Sequence, residues 1–446
     1  MNKINNLQKL AKKIEKELKR RGATDSVLSS IKGQSHQIKF SNNQISINQT
    51  WDTTQMHIFL AINNKIAITS LKKFDQKTID QTIKAAINLA KRSEPNTEFR
   101  GIARGPFKYQ SINETNDSKI RNTDTIKIVQ NVIEEAKSEG AERVSGLLEL
   151  GESSGGIVTS SEIEKQESGT QIHLSIRALA KKDASGHMTQ TSRIFNKFKY
   201  LEAAKEAGRI AKDSINPKQG GAGNFDIIFS PLAFANLLSL VAESASIFSV
   251  ESGLSFLKGK MNKKIAADQV NLLDNPLEPN GIGSTSFDAE GHPTKNKFIL
   301  QNGILKTFLH NTSTAKRYKT ESTGNAGLIS PTPLNIILEK GDWSKEEMIK
   351  ETKRGLLVTN LWYTRFNNYA TGEFSTIPRD GTFYIENGKI KYPIKGIRIS
   401  SSLPFLLKNI HAIGKDSQQI TSWETSVPTT TPHVLIKNVP VTKPKE

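Results

Sequence analysis

The sequence has 446 residues, of which 36% are hydrophobic and 24% are charged. At roughly 150 residues per domain this length suggests two to three domains, and the apolar fraction is too high for a disordered chain. Lys and Arg outnumber Asp and Glu by 62 − 44 = 18, so the chain is strongly basic. The complete absence of cysteine excludes disulfides, thiol nucleophiles and cysteine-ligated metal centres.

No stretch has the composition of an export signal or a membrane span. Residues 1–22 are rich in lysine and lack the apolar core of a signal peptide. The most apolar long stretch, 231–250, contains Asn236, Glu243 and several serines, whereas a spanning helix needs roughly 20 mostly apolar residues. We therefore expect a cytoplasmic protein that does not enter a membrane.

The first 220 residues alternate between helical and strand patterns. Apolar residues at three- and four-residue steps predict helices over 4–18, 75–92, 125–138 and 201–211. Strand patterns lie at 37–40, 44–48, 57–62, 65–69, 145–149, 156–160 and 171–180, with turns at Asn42-Asn43 and Asn63-Asn64. The polar stretch 96–123 is predicted to be irregular, and the glycine-rich run 216–223 indicates a boundary after an N-terminal α/β domain.

The remaining residues predict a β-rich C-terminal domain. Asn302-Gly303 and Asn387-Gly388 interrupt alternating apolar residues, and Asn-Gly is the typical hairpin turn because both positions need a positive φ. Helices are predicted over 231–246, 344–354 and 402–409. The expected fold class is therefore α+β, with an N-terminal domain over 1–220 and a C-terminal domain over 221–446.

Patterns of common enzymes are weak in this sequence. The run at 281–286 lacks the third glycine of a dinucleotide site. No two of the eight histidines lie three to five residues apart, so a helical histidine pair for a metal cannot form. The basic surface lacks interleaved aromatic residues and nucleic-acid motifs, which favours a solvated surface over a nucleic-acid site.

The C-terminal half contains an ordered set of motifs. They are Ser252-Gly-Leu-Ser-Phe-Leu-Lys-Gly259, Ser286-Phe-Asp-Ala-Glu-Gly-His-Pro-Thr294, Leu300-Gln-Asn-Gly-Ile-Leu-Lys306, Ser322-Thr-Gly-Asn-Ala-Gly327, Gly372-Glu-Phe-Ser375 and Tyr384-Ile-Glu-Asn-Gly-Lys-Ile390. In order, spacing and content this set resembles the TldD/PmbA family, formerly described as modulators of DNA gyrase. The first half fits that family more loosely, through 40–43 and 171–178. The resemblance covers nearly the whole chain and implies the two-domain architecture of the family.

The resemblance implies a zinc-dependent peptidase built from two related subunits. One subunit, TldD, carries a His-Glu-x-x-x-His helix and a distal cysteine as metal ligands, and the other, TldE or PmbA, lacks them. In this sequence the motif positions fall on Ser239, Leu240 and Ser244. A serine hydroxyl is a poor zinc ligand and leucine cannot act as a base. The chain therefore resembles the TldE/PmbA side, with no catalytic residue and no metal of its own.

The resemblance also implies partners. These are a zinc-bearing TldD-like subunit, in a heterodimer or larger assembly, and an unfolded peptide substrate; self-association stays open. Candidate loops for substrate or partner are those of Gly253, Ser255, Asp288, Gly291, Gly324 and Asn325, although tight turns in a β-rich domain would explain these residues equally well. Two other functions stay open: a metal-free homodimer that binds peptides, and a nucleic-acid-associated protein. Whether the chain is itself an enzyme is left undecided, and a regulatory subunit is expected.

Overall fold

The computed structural model describes residues 2–443 of the chain. Its helices are α1 (Asn2–Arg20), α2 (Gln76–Arg92), α3 (Thr125–Ser138), α4 (Tyr200–Asp213), α5 (Pro231–Ser244), α6 (Ile247–Glu251), α7 (Thr312–Tyr318), α8 (Lys345–Glu351) and α9 (Leu403–Lys408). None of the helices in this range is both long and apolar enough to span a membrane. The cytoplasmic location stays a prediction.

Strands contain more residues than helices do. In the N-terminal half they are β1 (Asp25–Ser41), β2 (Gln44–Ile62), β3 (Lys65–Leu71), β4 (Arg143–Thr159), β5 (Glu164–Lys181), β6 (Ala184–Ser192) and β7 (Lys218–Gln219). In the C-terminal half they are β8 (Gly223–Phe229), β9 (Leu272–Asp274), β10 (Lys297–Gln301), β11 (Ile304–Leu305), β12 (Ile336–Leu338), β13 (Arg354–Asn368), β14 (Glu373–Glu386), β15 (Lys389–Lys395), β16 (Arg398–Ser402), β17 (Ile410–Ile413), β18 (Gln418–Ser422), β19 (Thr425–Thr431) and β20 (Val434–Thr442).

Strands β1 to β6 form one antiparallel sheet in the order β3-β2-β1-β4-β5-β6, which we call the N-terminal sheet. Both Asn-Asn turns are confirmed. Asn42 and Asn43 have φ of 49° and 67° and join β1 to β2, and Asn63 and Asn64 have φ of 47° and 63° and join β2 to β3. The sequence patterns predicted two short strands at 145–149 and 156–160, and this is wrong because β4 is continuous from Arg143 to Thr159. Its polar middle is extended because β1 and β5 bind it on both sides.

Helices cover one face of the N-terminal sheet in two groups. Helices α3 and α4 pack on apolar residues such as Leu148 and Leu174. Helices α1 and α2 pack on a second set that includes Leu28 and Ile58. Because side chains alternate along a strand, the opposite face carries the intervening residues. We call it the open face.

The described C-terminal half contains two further sheets. One has the order β11-β10-β9-β12-β19-β18, and the other has the order β13-β8-β20-β16-β14-β15-β7, with β17 beside β20. Helix α5 lies in their shared core, where Leu237 and Val241 belong to the same apolar cluster as Ile299 of β10 and Leu356 of β13. Both predicted Asn-Gly hairpins are confirmed, at the turns between β10 and β11 and between β14 and β15.

Three of the predicted helices are at least two residues shorter in the structure, among them the helix predicted over 402–409, which covers 403–408. Helix α5 ends at Ser244, and α8 covers 345–351 because β13 begins at Arg354. The division of the chain at residue 220 stays a prediction. The short strand β7 pairs with β15, and β8 begins at Gly223, so both flanks of the glycine-rich run contribute to one sheet.

A buried carboxylate joins the two halves of the chain. Asp380, between β13 and the open face of β5 and β6, accepts hydrogen bonds from Arg177 (2.9 Å), Ser185 (2.7 Å) and Asn360 (2.9 Å). The Asp380 side chain is only 5% exposed. A buried carboxylate with three donors holds its partners in one geometry, so this network fixes the C-terminal half against the open face.

Replacing Asp380 with alanine removes all three bonds and leaves the Arg177 guanidinium without its carboxylate. We expect the free energy of unfolding, measured by urea titration, to fall by about 1.5–3 kcal/mol. The matched control is Asp183→Ala, because the Asp183–Lys395 ion pair (2.8 Å) also joins the halves but is exposed. We expect no measurable change from it. Equal effects of both variants would contradict the anchoring role of Asp380.

Candidate functional site

A cleft of about 540 Å³ lies between the open face and the C-terminal half. Much of its floor consists of small residues from β1, β2, β4 and β5, and larger residues of the same strands, such as Ile31, His57, Glu149 and Gln171, also line it. The small residues include Ser29, Gly33, Ser35, Thr53, Gly151, Ser153, Gly155, Ser168 and Gly169. Residues 284, 285 and 287 of the C-terminal half form one wall. Because glycine carries no side chain, an extended main chain can approach this floor closely.

Two charged residues of the N-terminal half hold the wall in place. Arg193 donates to the carbonyls of Gly281 (2.7 Å) and Ile282 (2.8 Å). Glu167 accepts from the Thr285 hydroxyl at 2.8 Å and from the 286 backbone N–H at 2.5 Å. The run at 281–286, which lacks the third glycine of a nucleotide motif, therefore serves as a contact between the two halves of the chain.

Two histidines of the open face contact the C-terminal half beside this cleft. His187 lies between the Ser175 hydroxyl at Nε2 (3.0 Å) and the Asn360 amide at Nδ1 (3.0 Å). The His173 Nδ1 lies 3.1 Å from the Thr421 hydroxyl. Burial lowers the pKa of both histidines to about 4, so they are neutral at pH 7 and act as hydrogen-bonding contacts.

Helix α5 resembles the family's metal helix, and the two serine hydroxyls at its motif positions are already hydrogen-bonded within the helix. The Ser239 hydroxyl donates to the Asn236 carbonyl (2.8 Å), and the Ser244 hydroxyl donates to the Leu240 carbonyl (2.8 Å). Ser239 is fully buried and Ser244 is 5% exposed. Both hydroxyls thus satisfy their own helix, as serines in helices commonly do.

This donor set does not fit a metal ion. A catalytic zinc usually takes three protein ligands from His, Cys, Asp and Glu, while the motif positions of α5 offer two bound hydroxyls and the apolar side chain of Leu240, and Glu243 is the one carboxylate on the helix. Within residues 2–443, no group of three or more such ligand residues is placed to hold a metal. No chemical step of this chain is therefore derived through zinc.

Four of the six predicted loop residues, Asp288, Gly291, Gly324 and Asn325, come together in one buried hydrogen-bonded cluster, which we call the buried cluster. Asp288 accepts from the backbone N–H groups of Glu290 (2.9 Å), His292 (3.0 Å) and Ala326 (2.9 Å). The first two of these bonds close the turn that contains Gly291. Gly324 has φ +69°, and a Cβ there would collide with the Pro293 carbonyl, so this position requires glycine.

The fourth residue of the buried cluster, Asn325, donates to the Asp274 carboxylate at 2.5 Å. Asp274 is completely buried and pairs with Lys297 at 3.1 Å. Ser255 lies elsewhere, where it donates to the Ser244 carbonyl at the end of α5 (2.6 Å), and Gly253 occupies the turn just before it, with φ +72°. These contacts are structural, and whether any of the six meets a substrate or partner stays a prediction.

The residues that line the cleft come from other stretches and were missed in the sequence. The usable signal was Gly151-Glu-Ser-Ser-Gly-Gly156, a glycine-rich run between two strand patterns. Glycine inside a strand often marks close backbone approach. Only the pairing of β4 with β1 and β5 shows that this run is a strand whose face is open.

Residues 222–443 match the family model described as the PmbA/TldA metallopeptidase C-terminal domain. The chain belongs to the PmbA/TldD family. It is 31% identical over 234 residues to a metalloprotease of Methanocaldococcus jannaschii, which covers 50% of this chain and 51% of that protein. It is 35% identical over 194 residues to a metalloprotease PmbA homolog of Buchnera aphidicola, covering 43% and 41%. The chain thus spans about half the length of the curated relatives it matches.

Solved structures extend the similarity to the whole fold. A Thermotoga maritima protein described as a modulator of a DNA gyrase aligns with a TM-score of 0.86 at 24% identity, over 98% of this chain and 100% of that chain. TldE from Thermococcus kodakarensis aligns with a TM-score of 0.86 at 21% identity, over 98% and 99%. These alignments confirm the predicted α+β class and family architecture.

Beside Asp288, the buried cluster contains the carboxyl group of Glu290, whose pKa is raised. Glu290 is 5% exposed and accepts from the Thr312 backbone N–H at 3.4 Å. Burial, with the charge of Asp288 beside it, raises the pKa of Glu290 from 4.5 to about 8. Between these two values the folded chain retains a proton that the unfolded chain has lost, so stability falls as pH rises through about 8.

We therefore expect the Tm of the wild-type chain, measured by circular dichroism, to fall by more than about 2 °C between pH 6 and pH 9. The Glu290→Gln variant keeps the shape of the protonated acid and loses the titration, so its Tm should change less over that range. Parallel pH curves for the two proteins would contradict the raised pKa of Glu290.

Proposed function

We propose that this chain is the metal-free, TldE-type subunit of a two-subunit metallopeptidase. In this proposal the chain holds an extended, unfolded peptide in its cleft, while a related zinc-bearing subunit cleaves it. The single observation that carries the proposal is the state of α5. The helix at the family's metal position is packed as a core element, and its motif positions Ser239, Leu240 and Ser244 offer no ligand to a metal.

The chemistry of α5 favours a role for this chain in which it does not bind the metal. Ser239 and Ser244 already donate to carbonyls of their own helix, and Leu240 has no donor atom. The chain also has no cysteine to complete a ligand set. Relatives of this chain are named metalloproteases. In the proposed complex, the metal would therefore be bound by the other subunit.

The cleft supports a peptide substrate. Most of its floor residues are glycine, serine and threonine, so main-chain groups of a bound segment can come close with few demands on its sequence. At about 540 Å³ the cleft has room for a few residues of extended chain and none for a folded domain.

The charges around the cleft favour a peptide over a nucleic acid. Glu149, Glu152 and Glu167 are among the lining residues, together with Arg193. Glu152 is paired with Arg121, and Glu167 binds the wall. A lining with more acidic than basic groups repels a phosphate backbone, although the chain as a whole carries +18.

Mixing this chain with a zinc-bearing relative from the same organism should raise cleavage of an unfolded fluorogenic peptide at least about tenfold over either chain alone. Gly155→Leu should abolish most of that gain. A Cβ at Gly155 would have the Ser30 carbonyl as its nearest neighbour at 3.8 Å, so leucine fits the backbone and fills the cleft.

The matched control is Gly221→Leu. A Cβ at Gly221 meets nothing within 4 Å, and the residue is exposed in the glycine-rich run 216–223. This variant should behave as the wild type. Full activity of the relative by itself would contradict the two-subunit proposal, whereas a normal gain with Gly155→Leu would contradict only the assignment of the cleft.

Restoring the motif on α5 should not create an enzyme. The triple variant Ser239→His/Leu240→Glu/Ser244→His supplies two histidine ligands and a base but no distal ligand, and a two-ligand site lacks affinity and geometry. We expect neither stoichiometric zinc, measured by plasma mass spectrometry after dialysis, nor peptidase activity. Untagged wild-type chain that carries one tightly bound zinc and shows chelator-sensitive cleavage would overturn the proposal.

A further inference from the structure

The outer edge of β2 has no partner over much of its length. Strand β2 pairs with β1 from Gln44 to Ala61, whereas β3 covers it only from Met56 to Ile62. In the part of the chain that the structure describes, no strand lies beside β2 before residue 56 on that side. The backbone N–H and C=O groups that point outward there are available to another strand.

The free edge has two natural limits. At one end β3 begins to pair at Met56. At the other end Phe40 faces Ile45 and Lys39 faces Ile47, so Ser46 is the extra residue of a bulge. The regular, unpaired edge is therefore the nine residues 47–55, and its midpoint is Trp51.

This edge carries few of the usual protections, since Asp52 is its single charged residue. Residues 47–55 read Ile-Asn-Gln-Thr-Trp-Asp-Thr-Thr-Gln and contain no lysine, arginine or proline. Ile47 is 39% exposed and Trp51 is 36% exposed, on the same face of the strand. Natural proteins blunt long edges with charge, proline or short length, so a nine-residue edge with a single charge and no proline is open to pairing with another strand.

The sequence of the edge is complementary to itself. Antiparallel pairing of all nine residues about a two-fold axis places Trp51 opposite the second copy of itself. It also places Gln49 opposite Thr53, and the single charge, Asp52, opposite Thr50. Cross-strand aromatic pairs stabilise a sheet, and no like charges meet in this register.

We propose that residues 47–55 of β2 pair with the same residues of a second copy of this chain. The two N-terminal sheets then form one continuous antiparallel sheet across the two-fold axis, with Trp51 at its centre. An isologous contact of this kind is the commonest route to a dimer. The proposal concerns self-association and does not depend on the proposed peptidase role.

The test uses two double variants that differ only in the sign of one charge. Gln49→Lys/Thr53→Lys places two lysines opposite each other twice in the proposed register, whereas Gln49→Lys/Thr53→Glu places a lysine opposite a glutamate twice. Sedimentation equilibrium should give the wild type and the Lys/Glu variant twice the 49.4 kDa chain mass. The Lys/Lys variant should dissociate at least about tenfold more readily, with circular dichroism verifying that each variant is folded.

The lack of native cysteine permits an independent check of the register. The variant Gln49→Cys/Thr53→Cys cannot form a disulfide within one strand, because residues four apart are roughly 13 Å apart and a disulfide needs Cα atoms within about 7 Å. It should crosslink into dimers under mild oxidation. The control Ile126→Cys, exposed on α3, should not.

Several results would overturn the proposal. They are a monomeric wild type at all concentrations, a Lys/Lys variant that dimerises as the wild type does, and double-cysteine chains that stay uncrosslinked. A chain that is monomeric by itself but assembles with a zinc-bearing relative through the same edge would also overturn it, because the covering strand would then belong to a different chain.

Discussion

The alternation of side chains along the N-terminal sheet is the constraint on which the rest of the molecule depends. Apolar residues such as Leu28 and Leu174 point to one face, and helices α1 to α4 cover them. The residues between them, most of them polar but including the buried Val27, Phe59 and Ile157, point to the other face. Where this face carries His173 and Arg177 it binds the C-terminal half, and where it carries glycine and serine it stays open. The cleft is the consequence of this difference.

Much of the contact between the two halves is polar, and this has a physical consequence. Across the junction, Asp380 accepts from Arg177 and Ser185, Glu167 accepts from residues 285 and 286, and Arg193 donates to the carbonyls of residues 281 and 282. Such groups tolerate only a narrow range of distances and angles, whereas apolar contacts can slide. The polar network therefore determines the width of the cleft as well as the attachment of the halves.

Helix α5 links the family membership of the chain to its proposed role. Its apolar residues fill the core between the C-terminal sheets, and its serines bond to their own helix. The fold that relatives share is thus maintained without the side chains that a metal requires. A helix that packs in this way stabilises the C-terminal half while the cleft on the N-terminal sheet remains available for binding.

The sequence by itself determined what depends on neighbouring residues. Apolar periodicity gave α2 and α3, and the positive φ that Asn-Gly turns require gave the hairpins at 302–303 and 387–388. Motif order and spacing identified the family. Only the tertiary structure decided the length of β4 and the position of the cleft, because residues 150–155 have no strand pattern of their own and are extended through pairing with β1 and β5. The same holds for Asp380, whose donors Arg177 and Ser185 lie 203 and 195 residues away. Local patterns cannot record contacts that form only when distant strands meet.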